Sequence, residues 1–262
     1  MNATVVAGGR IQGIFAEQEG VTVKAMLALN GKSLLERTME PFRECTLVGK
    51  ICVVGPRDVE AIARRAGADR FVEEGSTGID NVMRGIDALG AQGRVLCSAS
   101  DLPFLRTEDI ENMIRLTPRD AQLSYAVFSR VEWQASFRGG HSTFIPFSDG
   151  EFTGGCVFVL DAALLRRIEP VLQRAFAARK SVTGMAKLFG PTLTLRLIVG
   201  RSIHRSLGPS TDSVRRRTES MLGCKCAVVR GCSPRLAADV DDLDDWHAAR
   251  RASAGLAEAA VA

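Results

Sequence analysis

Short apolar runs of strand length alternate along this chain with stretches whose apolar residues recur at helical spacing, and this alternation narrows the fold more than any single motif does. Thr4–Ala7, Lys50–Val54, Arg94–Cys97 and Gly155–Leu160 are the strand-like runs, with Arg70–Val72 a short further one. Between them, a loop runs from Gly9 to about Ala25, and Ser33 and Glu36 then form a capping-box pattern that opens a helix. Asp58–Ala66 reads as a helix stopped by Gly67, which suits the left-handed position after a helix end. Ile79–Leu89 places its apolar residues on one helical face, and Thr107 caps a helix running to Leu116. Strands separated by helices predict an α/β fold, with a single three-layer domain and a mixed, mostly parallel sheet.

The second half is less regular. Gln122–Trp133 alternates in part and predicts a strand with one exposed face, followed by a hairpin or loop over Phe137–Phe147. After Gly155–Leu160 come helices broken near Pro170, Ser181 and Pro191, then strands over Thr192–Val199 and Lys225–Arg230 with Ser213–Leu222 helical between them. Asp241 opens a final helix through Arg250. No linker or repeat appears, so residues 1–251 form one domain and the Ala-rich residues 252–262 a frayed tail.

Composition excludes several classes of function. The net charge is only +4 and 6% of the residues are aromatic, so the chain offers no stacking platform or basic stripe for nucleic acid. No stretch approaches the roughly 20 apolar residues of a membrane span. The N-terminus runs into an apolar strand without a basic leader, which predicts a cytoplasmic location. Seven cysteines, an odd number lying in apparent core runs, read as reduced thiols. Cys224, Cys226 and Cys232 match no standard zinc spacing.

Four segments carry candidate chemistry. Ser98-Ala-Ser-Asp101-Leu-Pro103-Phe104 leaves a carboxylate at a strand's C-terminal end, the edge where open α/β sheets bind ligands. Pro103 stiffens the turn, and a hard cation bridging phosphates needs such a ligand; otherwise Asp101 only caps the next turn. Val6-Ala7-Gly8-Gly9 ends the first strand in residues that let a ligand approach the backbone, though Gly-Gly is also a plain turn signal. Lys24, entering an apolar run, offers a point charge to phosphates. In Asp239-Val-Asp241-Asp242-Leu-Asp244-Asp245, Asp242 reads as a helix cap with Asp244 and Asp245 favouring the helix dipole. Capping accounts less well for Asp239 and Asp241, which precede the helix.

Taken together, in this order, these segments resemble the GT-A-like nucleotidyltransferases, in particular the group that includes the molybdenum-cofactor guanylyl- and cytidylyltransferases. Val6–Gly9 resembles their Leu-Ala-Gly-Gly loop, and Lys24-Ala-Met-Leu with Gly31-Lys-Ser-Leu-Leu35 their Lys-Ala-Leu-Leu and Gly-(Lys/Arg)-Pro-Leu-Leu segment. Ser100-Asp101-Leu-Pro103 matches their Asp-x-Pro, and Asp239-Val-Asp241 with Asp244-Asp245 their closing acidic motif. Gly75–Gly78 with Asn81 and Gly85 is similar to a segment that contacts the base.

The resemblance implies a nucleotide site at Ala7, Gly8, Gly9, Arg10, Lys24, Gly75, Asn81 and Ser100. It implies Mg²⁺, or Mn²⁺ in its place, on Asp101 and Asp241 with Asp239 as the alternate ligand. Lys24, Asp101 and Asp241 would be catalytic, with Thr153, Gly154 and Gly155 lining an acceptor pocket or forming a turn before a strand. The implied reaction moves a nucleotidyl group from a nucleoside triphosphate to a small, phosphorylated acceptor and releases pyrophosphate, in a monomer or homodimer. The chain departs from the group after Gly9, where Arg10 follows at once and Glu17 and Glu19 add negative charge. The alternatives are a nucleotide-binding regulatory module without turnover and a GT-A sugar transferase, whose Asp-x-Asp is replaced here by Ser-Ala-Ser-Asp101. No Gly-x-Gly-x-x-Gly follows the first strand, which disfavours a dinucleotide-binding protein.

Overall fold

The computed structural model describes residues 1–137, 142–178 and 190–261. Its centre is a mixed eight-stranded sheet. Strands β1 (Asn2–Val6), β4 (Ile51–Gly55), β5 (Arg70–Glu73) and β6 (Arg94–Ala99) run parallel. A small hairpin, β2 (Ala28–Leu29) and β3 (Lys32–Ser33), stands apart. Strand β9 (Gly150–Asp161) lies antiparallel between β6 and β7 (Leu123–Ser129), and β8 (Ile145–Phe147) pairs with its start. Strand β10 (Cys226–Val229) extends the sheet parallel to β7.

Helices cover both faces. On one side α2 (Leu34–Glu44), α3 (Glu60–Arg65) and α5 (Thr107–Leu116) bury Leu35, Met39, Phe42, Ala63, Ile110 and Met113 in one cluster with Ala3, Val5, Ile51 and Val53. On the other, α4 (Gly78–Ala88) and α7 (Ala162–Ala178) pack Ile86, Leu164, Leu165 and Ile168 on Val95, Cys97 and Leu160. The α/β expectation holds, as does the Ser33–Glu36 capping box: the Ser33 hydroxyl accepts from the Glu36 amide at 3.2 Å and the Glu36 carboxylate from the Ser33 amide at 2.9 Å.

Several local expectations are corrected. The segment after Gly9, expected as a loop to Ala25, contains helix α1 (Gly13–Glu19), closed by Gly20 in the left-handed conformation. The predicted strand Gln122–Trp133 stops at Ser129, because Ser129 and Glu132 form a capping box that opens helix α6 (Arg130–Ser136). Strand β9 starts five residues earlier than expected, so Thr153, Gly154 and Gly155 sit within a strand and not in a turn before it. Pro170 does not break α7; it lies on an exposed position, where water can take the carbonyl its ring leaves without a donor.

Thr192–Val199 is helical, within Pro191–Ser202. Pro191 at the first helical position presets the turn, and a helix satisfies its own backbone where no sheet edge is at hand. Thr107 opens α5, but the Asp109 carboxylate, accepting from the Arg106 amide at 2.9 Å, caps it. The last helix runs Leu243–Val261, past the expected end at Arg250, and Ser253 is buried with its hydroxyl accepting from Asn30 at 2.7 Å. The expected break near Ser181 and the middle of Phe137–Phe147 lie outside the described residues.

Candidate active site

The parallel strands β1 and β6 are neighbours in register, Val6 opposite Ala99, so the segments that leave their C-terminal ends emerge side by side. From β1 comes Ala7-Gly8-Gly9. The Lys24 amide donates to the Gly9 carbonyl at 3.0 Å and Arg10 bridges Val23, which folds the intervening residues back and delivers Lys24 beside the glycines. A Cβ on Gly9 would press on the Lys24 side chain at 3.2 Å, so the small residue lets the lysine pass. From β6 comes Ser100-Asp101. Leu102 donates its amide to the buried Thr38 hydroxyl of α2 at 3.2 Å, which holds the turn after Asp101. Asp101 caps no helix, since α5 begins only at Thr107.

The third segment arrives from the far end of the chain. A short 3₁₀ helix, Pro234–Ala237, packs on β9, where a Cβ on Gly155 would stand 3.4 Å from the Leu236 carbonyl. Beyond it the Val240 amide donates to the Asp101 carbonyl at 3.2 Å and ties the two acidic segments together. The acids of this segment fall into two groups. Asp242 accepts from the Asp245 amide at 2.9 Å as a cap, and Asp245 accepts from the amides of Asp241 and Asp242 at 3.0 and 3.3 Å. Asp239 and Asp241 point elsewhere. Their carboxylates and that of Asp101 have oxygens within 4.8 Å of one another, the single such cluster of potential metal ligands among the described residues. Cys224, Cys226 and Cys232 are not part of such a cluster among the described residues.

Lys24 stands at the centre of this group. Its Nζ lies 2.6 Å from Asp241 and 3.4 Å from Asp101. Burial works to lower the Lys24 ammonium, but Asp101, Asp241 and Asp239 outweigh it and hold the group above its ordinary value. Asp101 is pushed up to about 6, chiefly by burial, with Lys24 opposing and Asp239 and Asp241 adding their repulsion. Asp239 is raised by burial and by Asp241, against a hydrogen bond from the Cys156 thiol. Burial, then Asp239 and Asp101, hold that thiol protonated well above its usual range. A site built this way carries strain from like charges, relieved by one ammonium and open to further positive charge.

Arg10 does not stand free beside the glycines. It pairs with Glu74, at the end of β5, and donates to the Gly8 carbonyl at 2.6 Å, so the Glu74 carboxylate covers Gly8. Asn81 is buried and accepts from the Gly75 amide at 2.7 Å, joining the Gly75 loop to this corner. Ser100 is buried next to Asp101. The Thr153 hydroxyl meets the Ser142 hydroxyl at 2.9 Å, and Gly154 lies under the Tyr125 ring. Sequence reasoning passed over Glu74, Cys156, Thr38 and the positioning role of Asp245. An acid directly before Gly75 at a strand end was a usable signal for Glu74; Cys156 and Thr38 carried none.

Two recesses open on the surface of the described residues. One, of about 460 Å³, touches Asp239 and Asp245 and is walled by Phe104, Trp133 and the C-terminal helix. The other, of about 570 Å³, lies between the sheet and the helices α7 and Thr211–Leu222.

Comparison with known proteins agrees with this layout. Residues 3–187 match the family model described as MobA-like NTP transferase domain. A 2-C-methyl-D-erythritol 4-phosphate cytidylyltransferase of Clostridium botulinum is 30% identical over 122 residues, 44% of this chain and 53% of that protein. A probable molybdenum cofactor guanylyltransferase of Pyrococcus horikoshii is 28% identical over 113 residues, 43% of this chain and 54% of that one. The chain thus spans about half the length of these curated relatives. A hypothetical transferase of Thermus thermophilus superposes with a TM-score of 0.80 at 26% identity, covering 93% of this chain and 98% of that one. A nucleotidyl transferase of Methanothermobacter shares the fold, with a TM-score of 0.57 at 18% identity over 97% and 98% of the two chains.

Proposed function

The chain belongs to the family of MobA-like NTP transferase domains, and we propose that it transfers a nucleotidyl group from a nucleoside triphosphate to a small, phosphorylated acceptor, with Mg²⁺ as cofactor. The observation that carries this reading is the meeting of Asp101, Asp239 and Asp241, their oxygens within 4.8 Å of one another, around Lys24 at the strand ends. The donor set is oxygen only, and the nearby Cys156 thiol is held protonated, which suits a hard divalent cation better than a soft one. Asp101, Asp239 and Asp241 would hold that ion, which when bound neutralises charge on the phosphates.

In the reaction an oxygen of the acceptor phosphate bonds to the α-phosphorus, and the bond from that phosphorus to the bridging oxygen breaks. Pyrophosphate leaves with the bonding pair. Such a transfer needs mainly positioning and electrostatic stabilisation. Gly8 and Gly9 supply a backbone corner without side chains, so phosphates can approach closely. Lys24 stays protonated through the working pH range and offsets the charge gathering on the leaving group. For triphosphate to reach Gly8, the Arg10–Glu74 pair must part, which frees Arg10 for the phosphates and Glu74 for the nucleoside.

The test is pyrophosphate release together with thermal shift, using the four common triphosphates with Mg²⁺ and with chelator. A triphosphate at 100 times its Kd adds about 2.7 kcal/mol, or roughly 5–10 °C for a chain of this size. One base should be preferred and EDTA should abolish the shift. Indifference to all four with Mg²⁺ present would refute the reading.

A further inference from the structure

The larger recess differs from its neighbour in its walls. Asp239, Asp245 and Arg251 place charge around the smaller one. In the larger one Tyr125, Phe152, Gly154, Phe158, Ile168 and Val214 stand around about 570 Å³, a volume in the range that encloses a drug-sized ligand. Among the described residues that line it, the one charged side chain, Arg215, is already neutralised by Asp212 at 2.6 Å and Glu219 at 2.7 Å.

Strand β9 joins this cavity to the acid cluster. Gly154, Cys156 and Phe158 alternate onto one face, and the thiol of the middle one, Cys156, is pushed up by burial and then by the nearby charges of Asp239 and Asp101. The pairing of β9 with β7 shifts register between Tyr125 and Val127, an irregularity of the kind that re-aims side chains beside sites. Gly154 has no Cβ because the Tyr125 ring occupies that space. Tyr125 keeps 42% of its surface accessible, yet its phenol is pushed up to about 12 by burial, with Cys156 and Asp239 adding to it. The Tyr125 ring is one of the walls of the cavity. Ile145, 49% exposed, continues the uncovered apolar lining.

We infer that this cavity receives a hydrocarbon portion of the acceptor, so that the substrate class is a phosphate monoester carrying an extended apolar group whose phosphate end lies at the acid cluster. The inference rests on the nucleotidyl-transfer reading above and adds to it the chemistry of the acceptor. A polar acceptor would leave the cavity lining without partners, whereas each methylene placed there leaves water for apolar surroundings.

Isothermal titration with a series of n-alkyl phosphates, butyl to decyl, below their micelle thresholds, tests it. Affinity should rise about fourfold per methylene until the cavity is filled, since one buried CH₂ is worth about 0.8 kcal/mol. Val214→Trp, on the helix wall away from the acids, fills the cavity and should flatten the series while leaving Mg²⁺-triphosphate binding unchanged. If that variant does not fold, Ala227→Phe on β10 serves the same purpose.

A flat series in the wild-type protein overturns the inference, and so does an equal slope in a folded cavity-filling variant, which would place binding elsewhere. A flat series with a dimer that Val214→Trp dissociates would assign the cavity to a second copy and also overturn it. Triphosphate binding, measured separately, tells the two readings apart. A flat series in a protein that binds Mg²⁺-triphosphate leaves nucleotidyl transfer standing. A length-dependent series without triphosphate binding supports the cavity and refutes the transfer.

Discussion

Replacing Asp101 by asparagine keeps the shape of the side chain and removes one of three negative charges that the fold holds together. The folded carboxyl titrates at about 6, against an ordinary value of 3.8, chiefly because it is buried. A shift of that size corresponds to about 3 kcal/mol of native-state penalty once the group is ionised. That figure is already net of the Lys24 attraction, and the variant retains Lys24 for Asp241 at 2.6 Å. The net gain expected for Asp101→Asn at pH 7 is therefore about 1–3 kcal/mol, or roughly 2–10 °C in Tm.

The sign depends on pH in a defined way. Because the folded carboxyl binds its proton more tightly than the unfolded one, wild-type stability falls relative to the variant as pH rises from about 4 to about 6. Below that window the two converge; above it the gap is constant. Denaturation curves of both proteins between pH 3.5 and 8, taken without metal, measure this difference directly. Pyrophosphate release by the same variant should fall at least 100-fold, about 2.7 kcal/mol of transition-state stabilisation. A variant less stable than wild type at pH 7, or one that turns over normally, would refute the argument that a costly carboxylate is kept here for its charge.

Three further outcomes are expected. Lys24→Met leaves the carboxylates uncompensated and should cost about 3 kcal/mol in urea titrations, with Mg²⁺ restoring part of the loss by taking the ammonium's place. Asp245→Ala removes the acceptor that holds the Asp241 and Asp242 amides; it should cost about 1 kcal/mol and reduce turnover, while Asp245→Asn, which keeps a carbonyl oxygen, should be nearly silent in both assays. Gly85→Ala would drive a Cβ into the Thr4 hydroxyl and should destabilise by about 1–3 kcal/mol in thermal melts without changing nucleotide specificity.

Sequence alone determined the elements that local physics controls. Apolar runs located β1, β4, β6 and the core of β9, the Ser33–Glu36 box began α2, and Gly67, at φ 86°, ended the helix before it. The family motifs marked Gly8, Gly9, Lys24, Asp101, Asp239 and Asp241 before any geometry was known. The misreadings were local as well. Thr192–Val199 was read as a strand although Pro191 suits a helix start, and a second Ser-x-x-Glu box at Ser129 was overlooked.

Tertiary structure decided which charges meet. Asp101 and Asp239 lie 138 residues apart and come together because the Val240 amide reaches the Asp101 carbonyl over β9. The same packing turned Lys24 inward onto two carboxylates and set Arg10 against Glu74, pairings that the intervening sequence does not encode. It also separated Asp242 and Asp245, which bond the backbone of their own helix, from Asp239 and Asp241, which face Asp101. The physical reason is the range of the forces. Helix caps and strand patterns are satisfied within a few residues, whereas burial and the repulsion of like charges arise only when distant segments share one volume.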